Sequence, residues 1–185
     1  MASKRLKIVR RCVILLYAEQ HAADDRKDPC AAVRIFSFFA PQKYTYGVYM
    51  LNTGRTAARE TLFKLIYEYT VRGERDDFTL SVFCHGMTDD DTEYIKSAYD
   101  GILSRADELK GKIASLSDGF AIDRIYKVDL AILMVATYEI LYRSDIPCPV
   151  SANEATKLAE KYSTDKSRAF VNGVIASVIK EKDNG

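Results

Sequence analysis

The sequence is poor in the residues that most often do chemistry. Its only histidines are His21 and His85, and neither has a partner at catalytic or metal-ligand spacing. The four cysteines, Cys12, Cys30, Cys84 and Cys148, stand far apart and form no CxxC pair. That argues against a zinc site and a disulfide framework and makes a reducing cytoplasm the expected compartment. There is no glycine-rich phosphate loop and no GxSxG. The Asp89-Asp90-Asp91 run lacks the spaced oxygen ligands and the glycine of a calcium loop. No apolar run approaches the ~20 residues needed to span a bilayer. Catalysis therefore finds no support, and neither a metal, a cofactor nor a membrane is expected.

What is present is an ordinary soluble composition: 185 residues, 48% hydrophobic and 29% charged. That length suits one domain with a sizeable core. The formal net charge of +1 hides an asymmetry, since residues 1–49 carry nine Lys and Arg against four Asp and Glu, whereas residues 50–185 carry eighteen against twenty-two. An acidic body disfavours indiscriminate DNA binding, so any nucleic-acid site must be a local basic patch with steep salt dependence.

Residues 1–49 read differently from the rest. A basic start (Lys4, Arg5, Lys7, Arg10, Arg11) precedes a brief apolar run, Cys12 to Ala18, loosely like a signal peptide but without a clean cleavage site. Ile35 to Tyr49 is crowded with aromatics, lacks helical periodicity and reads as β-prone or partly ordered. The expected division is an extension over 1–49 and a helical domain over 50–185, with Met50 as the natural start. An intact mass of the endogenous protein tests that start; a chain beginning at Met1 contradicts it.

From Thr53 onward the pattern is helical. Leu62, Leu65, Ile66 and Tyr69 form one apolar face of a helix expected from Arg55 to Arg72, stopped by Gly73. A short apolar segment runs from Phe78 to Cys84, with His85 expected at its end. Thr88 then caps a helix whose first turn holds three aspartates. Its stripe of Ile95, Ala98, Tyr99, Ile102, Leu103, Ala106 and Leu109 predicts one continuous helix, followed by a looser stretch from Gly111 to Gly119. The almost wholly apolar helix from Val128 to Tyr142 should be central to the core, with Glu139 on it as a buried hydrogen-bonding group. Asp145 to Pro149 reads as a turn, and Ser151-x-x-Glu154 as a capping box for a helix reaching Tyr162. A last helix begins near Asp165 or Ser167. Gly173 inside it costs ~1 kcal/mol against Ala, which predicts close helix packing there. Asn153 and Asn172 read as architectural. The class is all-α, with six or seven helices.

Three blocks carry a family resemblance. They are Ala58-Arg59-Glu60 with Leu65-Ile66-Tyr67; Lys127-Val-Asp129-x-Ala131-Ile132-Leu133 through Tyr138-Glu139-Ile140; and Asp145-Ile-Pro147, Asn153-Glu154-Ala155 and Ser167-x-x-Phe170-Val171-Asn172-Gly173-Val174. In order and spacing these resemble the NusB (N-utilisation substance protein B) family over roughly residues 53–181. The resemblance implies a NusB-like helical bundle of two small subdomains, about seven helices in all. It implies a transcription antitermination factor that binds the boxA RNA of ribosomal RNA leaders together with NusE, a small-subunit ribosomal protein, in an RNA polymerase antitermination complex. It also implies that a homodimer can cover the RNA site. The chain departs from the family in two places. Its first helix opens with only Arg55 and Arg59 where the family is arginine-rich, and Met134 stands where the family often has Arg.

The residues expected at RNA are Arg55, Arg59, Tyr67, Lys166, Ser167, Arg168 and Phe170. The arginines offer fixed donor forks to phosphates, and the aromatics suit unpaired bases. A helix start flanked by Lys166 and Arg168 offers free amides and positive charge. For Arg55 and Arg59 the alternative is a solvated helix end; for Tyr67 and Phe170 it is core packing. Two rival functions stay open. One is an RNA-targeting module related to the domain that precedes some ribosomal RNA methyltransferases. The other is a protein-binding helical adaptor without RNA recognition.

Overall fold

Seven α-helices and one 3₁₀ turn make up the described residues, 54–117 and 121–184, of the computed structural model. They are α1 (Arg55–Arg72), α2 (Asp77–Cys84), α3 (Asp89–Ser104), α4 (Ala106–Ser115), the turn Ile122–Arg124, α5 (Lys127–Tyr142), α6 (Cys148–Tyr162) and α7 (Asp165–Asn184). The expectations placed on residues 1–49 and on Met50 lie outside the described residues. No helix among those described is long and apolar enough to cross a membrane.

Local chemistry explains several of the helix ends. Gly73 takes φ 76°, a left-handed conformation open to glycine, and its amide closes α1 on the Tyr69 carbonyl. Asp76 caps α2 by accepting the Phe78 and Thr79 amides, and His85 follows its last turn. The Thr88 hydroxyl accepts the Asp91 amide at the head of α3, where three aspartates face the positive end of the dipole. Thr164 does the same for α7 through the Ser167 amide.

Three expectations about helix boundaries and caps change. The stripe from Ile95 to Leu109 does not lie on one helix, because the chain breaks at Arg105. There the Gly101 carbonyl accepts the Ser104 hydroxyl and the Arg105 guanidinium, while the Arg105 amide turns to Ile102. Residues Gly111 to Ser115, expected to be loose, belong to α4. The Ser151–Glu154 capping box does not form. Prolines at 147 and 149 already start α6 at Cys148, and the Ser151 hydroxyl donates to Glu139 instead.

The core is built around α5, whose residues 129–140 are all buried. It packs against α1, α3, α4, α6 and α7. The expected close packing at Gly173 is absent: that residue is exposed, and a β-carbon there would meet nothing within 4 Å. Close approach occurs at Gly101 on α3, where an added methyl would overlap the Tyr138 hydroxyl of α5. Asn153 is exposed in the second turn of α6, whereas Asn172 links α7 to α6 by accepting the Thr156 hydroxyl at 2.7 Å.

Candidate nucleic-acid interface

A buried carboxylate ties four helices together beneath the candidate surface. Glu139 on α5 is 1% exposed. It accepts the Arg59 Nε–H of α1 at 2.9 and 3.2 Å, the Ser151 hydroxyl of α6 at 2.6 Å, and the Tyr94 hydroxyl of α3. Burial, with the Glu139 charge beside it, pushes the Tyr94 phenol well above its ordinary range, so it stays a donor. Arg59 is 5% exposed. Its Nε–H points inward to Glu139, so Arg59 is a buried ion-pair partner and not the exposed phosphate contact expected from the sequence. Its position already hinted at this, since Arg59 precedes Leu62 by three residues and Ile66 by seven and so falls on the apolar stripe.

Outside this network the Tyr94 ring is flanked by guanidinium groups, Arg55 at 4.5 Å and Arg143 at 5.5 Å. Arg143 is held by Asp145 at 2.8 Å. Arg55 remains partly exposed and lies 3.5 Å from Asp90 and 3.8 Å from Asp91, the acidic first turn of α3. It is therefore at the surface, with a weak solvent-screened pairing that phosphate oxygens can replace.

A second cluster joins the middle of α1 to the α6–α7 corner. Glu60 accepts Lys161 Nζ at 2.8 Å and the Tyr162 hydroxyl at 2.5 Å, and Lys64 pairs with it at 2.9 Å. Burial raises the Glu60 pKa, but the Lys161, Lys64 and Tyr162 bonds outweigh it and bring the carboxyl down to about 2. Phe63 stacks on Tyr162 with ring centroids 5.1 Å apart, and Tyr67 follows Phe63 at 6.4 Å. Tyr67 is 4% exposed. It is part of this aromatic column and not an open stacking platform, which corrects its expected role at a base.

The corner itself is pinned by Asp129 in the first turn of α5. That carboxyl is 2% exposed and accepts the Ser163 and Ser167 hydroxyls. Burial raises its pKa, and the two hydroxyls only partly offset the rise. Ser167 is accordingly 5% exposed and bonded inside the protein, so it too is corrected from a direct RNA contact to a residue that fixes the start of α7. Beside it Lys166 is exposed and makes no ion pair among the described residues. Arg168 is half-exposed, with Glu160 at 3.6 Å, and Phe170 is half-buried.

Of the seven expected residues, Arg55, Lys166, Arg168 and part of Phe170 reach the surface. Arg59, Tyr67 and Ser167 lie under it. Phe63, where α1 meets the corner, is ~12 Å along the helix axis from Arg55, so the surface cations are spread over an extended strip. Helical periodicity does not single out Tyr94, Glu60 or Asp129 as the groups that assemble this strip. Glu60 and Asp129 do fall within the ARE and KVD blocks.

Comparison with known proteins places this arrangement. The family model described as "NusB family" matches residues 56–180. The transcription antitermination protein NusB of Ruminiclostridium cellulolyticum is 43% identical over 129 residues, covering 69% of this chain and 89% of that protein. The structure of T. maritima NusB superposes with a TM-score of 0.62 at 25% identity, over 70% of this chain and 93% of that one. A crystal structure of the antitermination factors NusB and NusE in complex with double-stranded RNA gives 0.63 at 25% identity, over 69% and 96%.

Proposed function

Because the chain belongs to the NusB family of transcription antitermination proteins, we propose that it binds the boxA RNA of ribosomal RNA leaders jointly with NusE and joins an RNA polymerase antitermination complex in the cytoplasm. It acts by binding and not by catalysis. The observation that carries this reading is that α1 and the start of α7 are both tied to the central helix α5, through Glu139 and Asp129. Buried carboxylates hold both in place, and Arg55, Lys166 and Arg168 are left at the surface. Guanidinium and ammonium groups so placed supply the phosphate contacts, and Phe170 supplies a partial apolar face for a base. NusE extends a strip that is too sparse in cations for high affinity alone. The solved complex of NusB and NusE with double-stranded RNA supports NusE and RNA as the partners.

The test is titration of the full chain with a labelled boxA-like RNA and with a scrambled RNA, each with and without NusE. The expected result is preference for boxA that tightens with NusE. Sequence-blind or absent binding in the presence of NusE overturns it. The adaptor reading is favoured by one observation, the burial of Arg59, Tyr67 and Ser167, and it predicts NusE binding with no contribution from RNA.

A further inference from the structure

We propose that the segment entering α5, Arg124 to Lys127, is a second contact surface for single-stranded RNA. Tyr126 stacks on an unpaired base, and Arg124 and Lys127 hold the flanking phosphates. This rests on the RNA-binding reading above and extends it to residues that reading does not use.

Tyr126 is 51% exposed, the most open of the large apolar side chains among the described residues. It stands at the N-cap of α5 in an extended conformation, φ −56° and ψ 137°. Its neighbour Ile125, by contrast, is tucked into the core at 6% exposure. The segment is also held in shape. The Arg124 and Ile125 amides close the 3₁₀ turn on Ala121 and Ile122, and the Tyr126 carbonyl accepts the Leu130 amide at 2.9 Å. An exposed ring on a fixed backbone loses little freedom when a base stacks on it, which is the property of a stacking platform.

The charges fit the same partner. Arg124 is exposed and Lys127 half-exposed, and neither forms an ion pair among the described residues. Asp129, two residues after Lys127, is bonded to Ser163 and Ser167. Those bonds set the first turn of α5 against the first turn of α7, where Lys166 stands. Besides the buried Asp129, the carboxylates at this corner are Asp123 and Asp165, both exposed, and Glu160, which is paired to Arg168. The unpaired cations Arg124, Lys127 and Lys166 stand against two exposed, unpaired carboxylates. An aromatic face between cations selects unpaired nucleotides, because a duplex hides its base faces within the stack.

The chain contains no tryptophan, so Tyr126→Trp installs a single fluorophore at the platform. With NusE present, its emission should be quenched by a boxA-like single-stranded RNA and far less by a duplex of the same sequence. Tyr126→Ala should weaken single-strand affinity about five- to a hundredfold with an unchanged melting temperature, and Tyr126→Phe should restore it. Unchanged emission at saturating RNA, or a Tyr126→Ala affinity equal to wild type while Lys166→Ala weakens binding, overturns this surface alone. No RNA binding by the unsubstituted chain overturns both readings.

Discussion

Removing the Glu139 carboxylate should be among the most damaging single changes in the protein. The group is 1% exposed and serves donors from three other helices, Arg59, Tyr94 and Ser151. Glu139→Ala leaves the Arg59 guanidinium, 5% exposed, as an uncompensated buried charge. Breaking a buried pair in this way costs about 3–5 kcal/mol. Two hydroxyls also lose their acceptor, at about 1 kcal/mol or more each. Against a total stability of roughly 5–15 kcal/mol for a domain of ordinary size, the variant should unfold far more easily. The assay is urea unfolding followed by far-UV circular dichroism. The paired change Arg59→Met with Glu139→Leu removes both charges, and it should recover a large part of the loss, because a buried ion pair replaced whole by apolar side chains is often neutral. A Glu139→Ala loss below about 1 kcal/mol, or single losses that simply add in the pair within about 0.5 kcal/mol, would refute the description of Glu139 as the shared acceptor of the core.

Two further outcomes follow from the packing and the charges. Gly101→Val should lower the melting temperature, since overpacking against Tyr138 costs about 1–3 kcal/mol. Gly173→Ala, exposed on a helix with open space around it, should leave stability unchanged or raise it by up to about 1 kcal/mol; the reverse order in thermal melts would contradict the assignment of close packing to Gly101. Glu60 has a folded pKa of about 2 against an unfolded value of 4.5, so its contribution is fully present above pH 4.5 and is lost as pH falls towards 2. Glu60→Gln should therefore flatten the acid limb of stability in that window. Asp129 has the opposite sign, because its raised pKa means that acidification relieves a burial penalty.

Those signals that act over a few residues were legible in the sequence. Gly73, Thr88 and the turn before Pro147 mark helix ends by local backbone chemistry, and the structure places the ends there. The apolar run of α5 has no polar face to expose, so its central position follows from composition. What escaped depends on partners distant in sequence. Ser151-x-x-Glu154 has the spacing of a capping box, but Glu139, twelve positions upstream, takes the serine hydroxyl. Gly173 and Gly101 look alike in the sequence, and only the position of Tyr138 tells them apart. At the candidate site Arg55 and Arg59 are one helical turn apart and chemically identical, yet one meets exposed Asp90 and the other a buried carboxylate. The family blocks locate the elements of the interface, but which of their side chains reach the surface is set by the tertiary partners of each.

If α1 and the start of α7 form one interface, their cations act on one RNA. The direct measurement is the salt dependence of boxA-like RNA binding, with NusE present, for the wild-type chain, Arg55→Ala, Lys166→Ala and the double variant. Each removed phosphate contact should make the slope of log affinity against log salt shallower by about 0.7, with the double variant shallower than either single one. Slopes identical to wild type in all three variants would show that these residues do not touch the RNA backbone and would contradict the proposed interface.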